Sequence, residues 1–307
     1  PALASKVTKL LTLFPFEPLL VTAPRRRNLL ALSVLTALGK VANARSYPER
    51  PVRIVVPYQA GGSTDAVARA FADLLSQRFG QPVIVDNKAG ASGIVGTDAV
   101  AKAPPDGHTL LVSLGNSLLT NRFLYRSLPY DPLNELALVS QLAAAPVVWA
   151  VHPSLQVDNA VDLMRYIASH PGRLSYGSYG VGSHAHLAGA HIDRTLNAGL
   201  VHVPYKGEAA MLQDLAAGQI QFAFCSGSSV LPYLSADRLK VVGTGGQRRL
   251  SILASVPTLW EQGLRDDVFR VVGFMGLAAP ARTPAHVIDT VAAAVLAIGR
   301  QQELRQR

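Results

Sequence analysis

The stretch VPYQAGGSTDAVARAF, residues 56–71, contains the change of pattern from which the fold can be argued. An apolar run at residues 53–58 predicts a strand, and apolar side chains at a helical spacing predict a helix over residues 64–79. Gly61 and Gly62 lie between them. A helix N-terminus presents unpaired N–H groups and a partial positive charge, and glycine lets a ligand approach the backbone closely. The stretch therefore predicts an anion-binding turn, with a helix simply capped by Ser63 or Thr64 as the alternative.

Strand and helix patterns alternate along most of the chain after residue 50. This order predicts βαβ units with parallel sheets buried on both faces, arranged as two series of similar size. The predicted strands lie at residues 51–58, 82–87, 108–115, 147–153, 173–180 and 200–207. The predicted helices lie at residues 64–79, 93–103, 157–170, 183–198, 208–218 and 283–306, with loops after residue 246. We expect the C-terminal helix to return to the first series.

A second glycine turn, GSYGVGSH at residues 177–184, connects a predicted strand to a predicted helix. Gly180, Gly182 and Ala185 satisfy the G-x-G-x-x-A pattern of dinucleotide-binding proteins, and Asp193 follows. The acid that binds the ribose should end a following strand, whereas Asp193 falls inside a predicted helix. A second anion-binding turn that faces the first across a cleft is the simpler interpretation. An NAD(P)-dependent two-domain oxidoreductase is the alternative.

Several other kinds of site find little support in the sequence. The first turn lacks the Gly-Lys-Ser/Thr of a triphosphate site, and the chain has no G-x-S-x-G motif of a serine hydrolase. His184, His186 and His191 lie close together, but no Cys or carboxylate completes a tetrahedral set, so we predict no metal site. Cys225 is the only cysteine, which excludes an intrachain disulfide. We therefore expect no cofactor and no catalysis.

The formal charge of +9 is concentrated near the N-terminus. Residues 1–44 carry six Lys or Arg and one Glu, a net charge of +5, which leaves +4 for the rest of the chain. A balance of +4 without long basic runs is an ordinary surface property. We therefore do not expect nucleic acid as a partner.

The same N-terminal segment has the design of a secretory signal peptide. Three arginines at residues 25–27 precede the apolar run LLALSVLTALG at residues 29–39 and the sequence Ala42-Asn43-Ala44. The apolar run is shorter than the ~20 residues that span a bilayer, so export with cleavage after Ala44 is favoured over a membrane anchor. Residues 1–24 do not fit this design, and we expect translation to start near Val21, so that residues 1–20 are not translated.

Seven motifs, in register over nearly the whole mature chain, resemble the Bug-type substrate-binding proteins of tripartite tricarboxylate transporters, a group of bacterial periplasmic receptors. The motifs are YPERPVRIVVPYQAGGSTDAVAR, VDNKAGASGIVGTDAVAKAPPDGHTLL, LPYDPLNELALVSQLA, LSYGSYGVGSHAHLAG, HVPYKGEAAMLQDLAAGQIQFAF, VPTLWEQGL and GLAAPARTP. The resemblance implies a type II periplasmic binding protein fold, in which two α/β lobes close on a ligand. We place lobe 1 at residues 45–148 and 248–307, and lobe 2 at residues 149–247, after the signal peptide region 1–44.

The resemblance also implies a ligand and the residues that bind it. The ligand would be a small carboxylate, a di- or tricarboxylate or related organic acid, held largely through backbone groups and waters. A monomeric periplasmic receptor would deliver it to the membrane subunits of a tripartite transporter or to a signalling partner. The implied contacts are Tyr58, Gly61, Gly62, Ser63, Thr64, Asp65, Asn116 and Ser117 in lobe 1 and Ser178, Gly180, Gly182, Ser183, His184, Tyr205 and Lys206 in lobe 2. Charge favours Lys206 as the partner of a second carboxylate, with a solvated lysine as the alternative.

Two features depart from the family pattern. Relatives commonly have Asp after the Phe of the segment GQIQFAF, where this chain has Cys225-Ser226. We therefore expect no amine-recognising carboxylate in the cleft, and plain carboxylates rather than amino acids as ligands. The chain also stops at QQELRQR, where relatives continue for a further helix or two. A degenerate secreted protein that has lost its ligand is therefore a third alternative.

Overall fold

Two five-stranded sheets organise residues 47–301, the part of the chain that the computed structural model describes. The strands are β1 (Val52–Val56), β2 (Val83–Asn87), β3 (Thr109–Leu114), β4 (Leu136–Ala145), β5 (Val147–Val151), β6 (Ser175–Ser178), β7 (Val201–Pro204), β8 (Phe222–Ser226), β9 (Lys240–Thr244) and β10 (Gly273–Pro280). The helices are α1 (Ser63–Phe79), α2 (Ile94–Ala101), α3 (Asn121–Leu124), α4 (Ala160–Ser169), α5 (His184–Leu196), α6 (Glu208–Ala216), α7 (Gly227–Ser235), α8 (Asp267–Arg270) and α9 (Ala285–Gly299). The predicted signal peptide, its cleavage site and the predicted translation start lie outside the described residues.

Sheet A has the strand order β2-β1-β3-β10-β4 and carries the first glycine turn. β1 lies between β2 and β3 and pairs with both in parallel, so its valine- and isoleucine-rich run is buried. α1 covers the sheet because apolar residues at a spacing of three or four face it. These buried residues of α1 are Ala68, Phe71, Ala72 and Leu75.

The ends of α1 follow from two glycines. Gly62, in an extended conformation, immediately precedes the first helical residue, Ser63. Gly80 ends the helix in the left-handed conformation, with φ of 64°, and its N–H donates to the carbonyl oxygen of Ser76. The predicted helix over residues 64–79 is thus confirmed, and its N-terminus lies directly after the first glycine turn.

Sheet B has the strand order β7-β6-β8-β5-β9 and carries the second glycine turn. Trp149 of β5 is fully buried and forms the centre of an aromatic cluster. Its ring stacks on Phe224 at a centroid distance of 5.1 Å and meets Phe222 edge-on at 5.8 Å. Phe269, from α8, stacks against Phe224 at a centroid distance of 6.4 Å. This cluster fixes β5 and β8 to each other and to the chain segment before β10.

The prediction of purely parallel sheets is wrong in both sheets. β10 runs antiparallel to β3 and β4, and β5 runs antiparallel to β8 and β9. These are the strands on which the chain enters a sheet from the other one, β5 directly after β4 and β10 after α8. A strand that arrives from the opposite side of a sheet meets its neighbours with reversed direction, so the crossovers produce the mixed sheets.

The predicted assignment of residues 248–272 to lobe 1 disagrees with the packing. Leu259 and Phe269 lie in the buried core of sheet B, where they contact strands β5 and β8 and the residues around them. Thr258 also forms a bridge with Thr244 at the end of β9. We therefore propose that the chain returns to lobe 1 near residue 273, where β10 begins. An apolar pattern does not reveal which of two cores a loop covers.

Several elements were not predicted, and others differ at their ends. Four strands (β4, β8, β9 and β10) and two helices (α7 and α8) are absent from the predicted elements, and the C-terminal helix ends at Gly299 instead of extending to residue 306. Arg300 caps the C-terminus of this helix, and its N–H donates to the carbonyl oxygen of Ile298. Among residues 47–301, no helix combines the length and apolar character needed to cross a bilayer.

Candidate functional site

The first glycine turn is held in shape by Asp65. Gly61 has a φ of 87°, and its N–H donates to Asp65 Oδ2 at 3.0 Å. Arg69 Nε donates to the same oxygen at 3.0 Å. Asn87 Nδ2 donates to the other carboxylate oxygen at 3.0 Å. Burial raises the pKa of Asp65, but these hydrogen bonds outweigh it and hold that pKa below its ordinary value. Asp65 therefore positions the turn as an ionised group that is already engaged within its own lobe.

The second glycine turn is likewise held by its own side chains. Ser183 caps α5 by accepting a hydrogen bond from the His186 N–H at 3.3 Å. Ser178 is fully buried, and its hydroxyl bonds to Gly180 and to His202 Nε2, the latter at 2.7 Å. The hydroxyls of both serines, predicted as ligand contacts, thus serve the conformation of the turn. The backbone of the turn remains the part that can face the cleft.

The two turns lie against the opposite lobes in this structure. A Cβ atom on Gly182, with φ of 80°, would lie 2.6 Å from Leu124 Cδ1, and one on Gly180 would lie 3.0 Å from Ser92 Oγ. At the first turn, the Gln59 N–H donates to the Lys206 carbonyl oxygen at 3.2 Å. These three contacts connect segments of the lobe of sheet A to segments of the lobe of sheet B. The cleft is therefore closed, with each glycine turn contacting the other lobe.

A buried polar network lies beneath the first turn. Tyr58 donates to Asn116 Oδ1 at 2.7 Å, and Asn116 Nδ2 donates to the carbonyl oxygen of Ser92 at 3.0 Å. Ser117 is fully buried and shares a short hydrogen bond with Ser113, whose hydroxyl also lies 3.3 Å from the Tyr58 hydroxyl. Burial raises the pKa of Tyr58, so the phenol stays protonated. The network fixes the end of β3 and the loop that contains Ser92.

Among the cavities along the closed cleft, two are lined by several of the predicted contacts. The first measures about 30 Å³ and is lined by residues of both lobes. Those from the lobe of the first turn are Tyr58, Gly62, Ser63, Thr64 and Asp65, and those from the lobe of the second turn are Tyr179, Glu208 and Ser226. The second measures about 260 Å³, and Asn116, Gly182 and His184 are among its lining residues. Ligand pockets commonly measure about 300–1,000 Å³, so the first cavity is small for one. We therefore expect a ligand at the first turn to require movement of the lobes or of a side chain.

The remaining predicted contacts lie outside these cavities. The Tyr205 hydroxyl donates to Asp214 at 2.8 Å, and the exposed Lys206 contributes its carbonyl oxygen to the bond from Gln59. Neither side chain lines the first or the second cavity. Gly61, Gly180, Ser117, Ser178 and Ser183 shape the turns and their supports. The roles of all fifteen predicted contacts in binding a ligand stay predictions.

His184 serves as a link between α5 and α8. Its Nε2 donates to the carbonyl oxygen of Val268 at 2.6 Å, which places the proton on Nε2. Burial lowers the pKa of His184, so the ring is neutral. Within residues 47–301, its Nδ1 is buried and has no hydrogen-bond partner. A neutral ring held in this way does not supply a positive charge for an anion.

A second histidine, His202, makes stability depend on pH. Its ring stacks on Tyr176 and lies 4.3 Å from the ring of His186. Burial lowers the pKa of His202 from 6.5 to about 4, and the charge of a protonated His186 acts in the same direction. The unfolded chain therefore binds the proton more readily than the folded one. The stability that depends on a neutral His202 is complete above pH 6.5 and is lost as the pH falls towards 4.

We expect His202→Gln to reduce this loss. The wild-type free energy of unfolding, measured by urea denaturation, should fall between pH 7.5 and pH 5, and it should fall less in the variant because Gln does not titrate. The matched control is His286→Gln, at an exposed position, which should keep the wild-type pH dependence. An unchanged pH dependence in His202→Gln would contradict the assignment. His184 and His186, whose pKa values are also lowered by burial, leave part of the dependence in place.

The sequence did not identify Glu208, the most unusual residue of the cleft. Glu208 is the first residue of α6, is buried, and its Oε2 accepts hydrogen bonds from the Ser63 hydroxyl at 2.9 Å and the Ser63 N–H at 3.3 Å. The cleft therefore contains a carboxylate at another position than Cys225-Ser226, and whether the cleft recognises an amine stays a prediction. An acidic residue at the start of a helix is common because the positive end of the helix dipole stabilises it. The sequence therefore does not indicate this contact across the cleft.

The dinucleotide alternative finds no support at Asp193. This residue lies inside α5, where its carboxylate accepts from the Leu200 N–H at 2.7 Å and its carbonyl oxygen accepts from the Ala198 N–H. Asp193 thus organises the end of α5, and it is not at the end of a strand, where a ribose would need it. The match to G-x-G-x-x-A in the second turn remains a pattern without its acidic partner.

Comparison with known proteins gives one matching family. The model of the tripartite tricarboxylate transporter family receptor matches residues 67–304. Protein BugT of Bordetella pertussis is 32% identical over 266 residues, which cover 85% of this chain and 81% of BugT. Both matches extend over most of the chain.

Two solved structures are similar to the fold described above. Rpa4515 of R. palustris, solved with adipate, is 32% identical with a TM-score of 0.80 over 84% of this chain and 85% of that one. MatC from Rhodopseudomonas palustris, with bound malate, is 30% identical with a TM-score of 0.79 over 84% and 87% of the two chains. These matches confirm the predicted family resemblance and the two-lobed periplasmic binding protein fold.

Proposed function

This chain belongs to the tripartite tricarboxylate transporter receptor family, and from that membership we propose that it binds a small dicarboxylate between its two lobes. It is a solute-binding receptor of the periplasmic type. The similar proteins solved with adipate and malate carry four- to six-carbon dicarboxylates, which supports this ligand class for the present chain. A tricarboxylate or related organic acid has the same chemistry and belongs to the same proposal.

One observation carries the proposal from the family to this site. The N-terminal residue of α1, Ser63, holds a carboxylate in this structure, through its N–H and its hydroxyl. That carboxylate belongs to Glu208, but the donors are those that a ligand carboxylate would need. The first glycine turn can therefore bind the chemical group that the family is named for.

Binding would act through closure of the lobes. A ligand that contacts both turns stabilises the closed form relative to an open one by the difference in its contacts with the two forms. The receptor would then present the closed complex to the membrane subunits of a tripartite transporter, or to a signalling partner. We propose that it does so as a monomer in the periplasm after export, and that it binds its ligand without chemical change and without a cofactor.

A thermal-shift screen of the purified protein tests this function. We expect malate, succinate, adipate or citrate to raise the melting temperature by about 5–10 °C at about 100 times Kd, since such a ligand contributes about 2.7 kcal/mol. NAD(P) at the same concentration should leave it unchanged. A shift with NAD(P) alone would support the oxidoreductase. The absence of any shift over the whole panel would support a receptor that has lost its ligand.

A further inference from the structure

The carboxylate of Glu208 is surrounded by hydrogen-bond donors. Besides the two groups of Ser63, its Oε2 accepts from the Ser229 hydroxyl at 2.9 Å and the Ser226 hydroxyl at 3.0 Å, and its Oε1 accepts from the Ser226 N–H. All five of these donors, within residues 47–301, are hydroxyl or backbone N–H groups. Four of the five donors lie on Oε2 and one on Oε1, so most of the roughly four lone-pair sites of this carboxylate are engaged within the protein. Glu208 therefore serves the protein's own donors and is poorly placed to recognise an amine.

Three helix N-termini meet at this carboxylate. Ser63 is the first residue of α1, Ser226 caps the N-terminus of α7, and Glu208 itself begins α6. The positive ends of these helices favour a negative charge between them. α1 belongs to the lobe of sheet A, and α6 and α7 pack with sheet B, so the charge also joins the two lobes. The arrangement is an anion site that the chain fills with its own side chain.

The N–H and the hydroxyl of Ser63 both already donate to the Glu208 carboxylate. Two carboxylates in contact also repel each other strongly. A ligand carboxylate that reaches the donors of Ser63 must therefore take the place of Glu208. The cavity of about 260 Å³ near His184 does not offer these donors, whereas a cavity of about 240 Å³ also borders Ser63 and Ser226.

We propose that Glu208 is an internal competitor that occupies the carboxylate subsite of the cleft, holds the lobes closed without ligand, and must be displaced before a ligand carboxylate binds there. This proposal rests on the proposed function only for the identity of the ligand. The existence of the subsite does not depend on that function. It makes Glu208 the residue that sets how tightly this receptor binds an acid. Removing its carboxylate should leave an empty site for a small free carboxylate.

The first test is acetate added to the Glu208→Ala protein. We expect acetate at millimolar concentration to raise the melting temperature of this variant by several degrees, because it restores an anion to five donors. Sodium chloride at equal ionic strength should give no such shift, and acetate should not stabilise the wild type. In Glu208→Ala/Ser63→Ala, which lacks the Ser63 hydroxyl, the acetate effect should be markedly smaller. No difference between acetate and chloride in Glu208→Ala would overturn the proposal.

The second test is dicarboxylate affinity by titration calorimetry. We expect Glu208→Ala and the near-isosteric Glu208→Gln to bind the dicarboxylate at least about tenfold tighter than the wild type, since neither carries the competing charge. Glu208→Gln keeps the size of the side chain and gives a second test if Glu208→Ala folds poorly. Equal or weaker affinity in both variants, with clear binding by the wild type, would overturn the inference and leave the proposed function intact. Acetate stabilisation without dicarboxylate binding in any variant would uphold the subsite and refute the proposed function.

Discussion

Replacing Gly62 with valine is expected to abolish stabilisation by a dicarboxylate while the protein still folds. Gly62 has φ of −87° and ψ of 171°, an extended conformation that valine readily adopts. A Cβ at this position would lie 3.5 Å from Glu208 Cβ, so the two γ-methyl groups of valine would enter the space between the lobes. We expect about 100-fold weaker binding, about 2.7 kcal/mol, in a calorimetric titration.

Gly62→Ala is the matched control for this variant. Alanine and valine are equally poor residues at a helix N-cap, so the pair differs mainly in volume. The alanine Cβ makes only an ordinary van der Waals contact with Glu208, and we expect binding within about threefold of the wild type. Undiminished binding in Gly62→Val would show that the first turn is only a helix cap, which is the alternative that the sequence left open.

The largest loss of stability is expected for Trp149→Ala. Trp149 is fully buried among Phe222, Phe224 and Phe269, so truncation removes a large apolar surface and leaves a cavity. We expect a loss of about 4 kcal/mol in the free energy of unfolding, measured by urea denaturation. Trp149→Phe should cost clearly less, because it keeps a ring and removes an indole N–H that has no partner within residues 47–301.

The second tryptophan of the chain provides the control. Trp260 is partly exposed, and Arg265 and Arg270 lie over its ring at 5.4 and 5.0 Å. Trp260→Ala should cost about 1 kcal/mol or less from the loss of these cation–π contacts. Similar losses for Trp149→Ala and Trp260→Ala would contradict the central place of Trp149 in the core of sheet B.

Elements with strong local signals could be predicted from the sequence. The isoleucine- and valine-rich β1 and the regular apolar spacing of α1 determine their own conformations, and Gly62 and Gly80 mark where α1 starts and ends. β10, GFMGLAAP, was missed because it contains two glycines and no β-branched residue. Its strand conformation depends on β3 and β4, which supply its hydrogen-bond partners on both sides. Such pairing is a tertiary property that local patterns do not contain.

The candidate site shows the same division. The anion-binding character of the first turn was predicted from glycine spacing and helix polarity, and a carboxylate does lie there. That the carboxylate comes from Glu208, 145 positions along the chain from Ser63, depends on how the lobes pack. The hydroxyls of Ser178 and Tyr205 looked equally available in the sequence, and only their partners His202 and Asp214 show that they are engaged elsewhere.

A crystal structure of the protein with malate tests the central claim most directly, because it shows which carboxylate lies at the N-terminus of α1. We predict that a malate carboxylate oxygen lies within hydrogen-bonding distance of the Ser63 N–H, with the Glu208 side chain displaced from it. A structure in which malate is bound elsewhere, and Glu208 still accepts the hydrogen bonds of Ser63, would contradict the account.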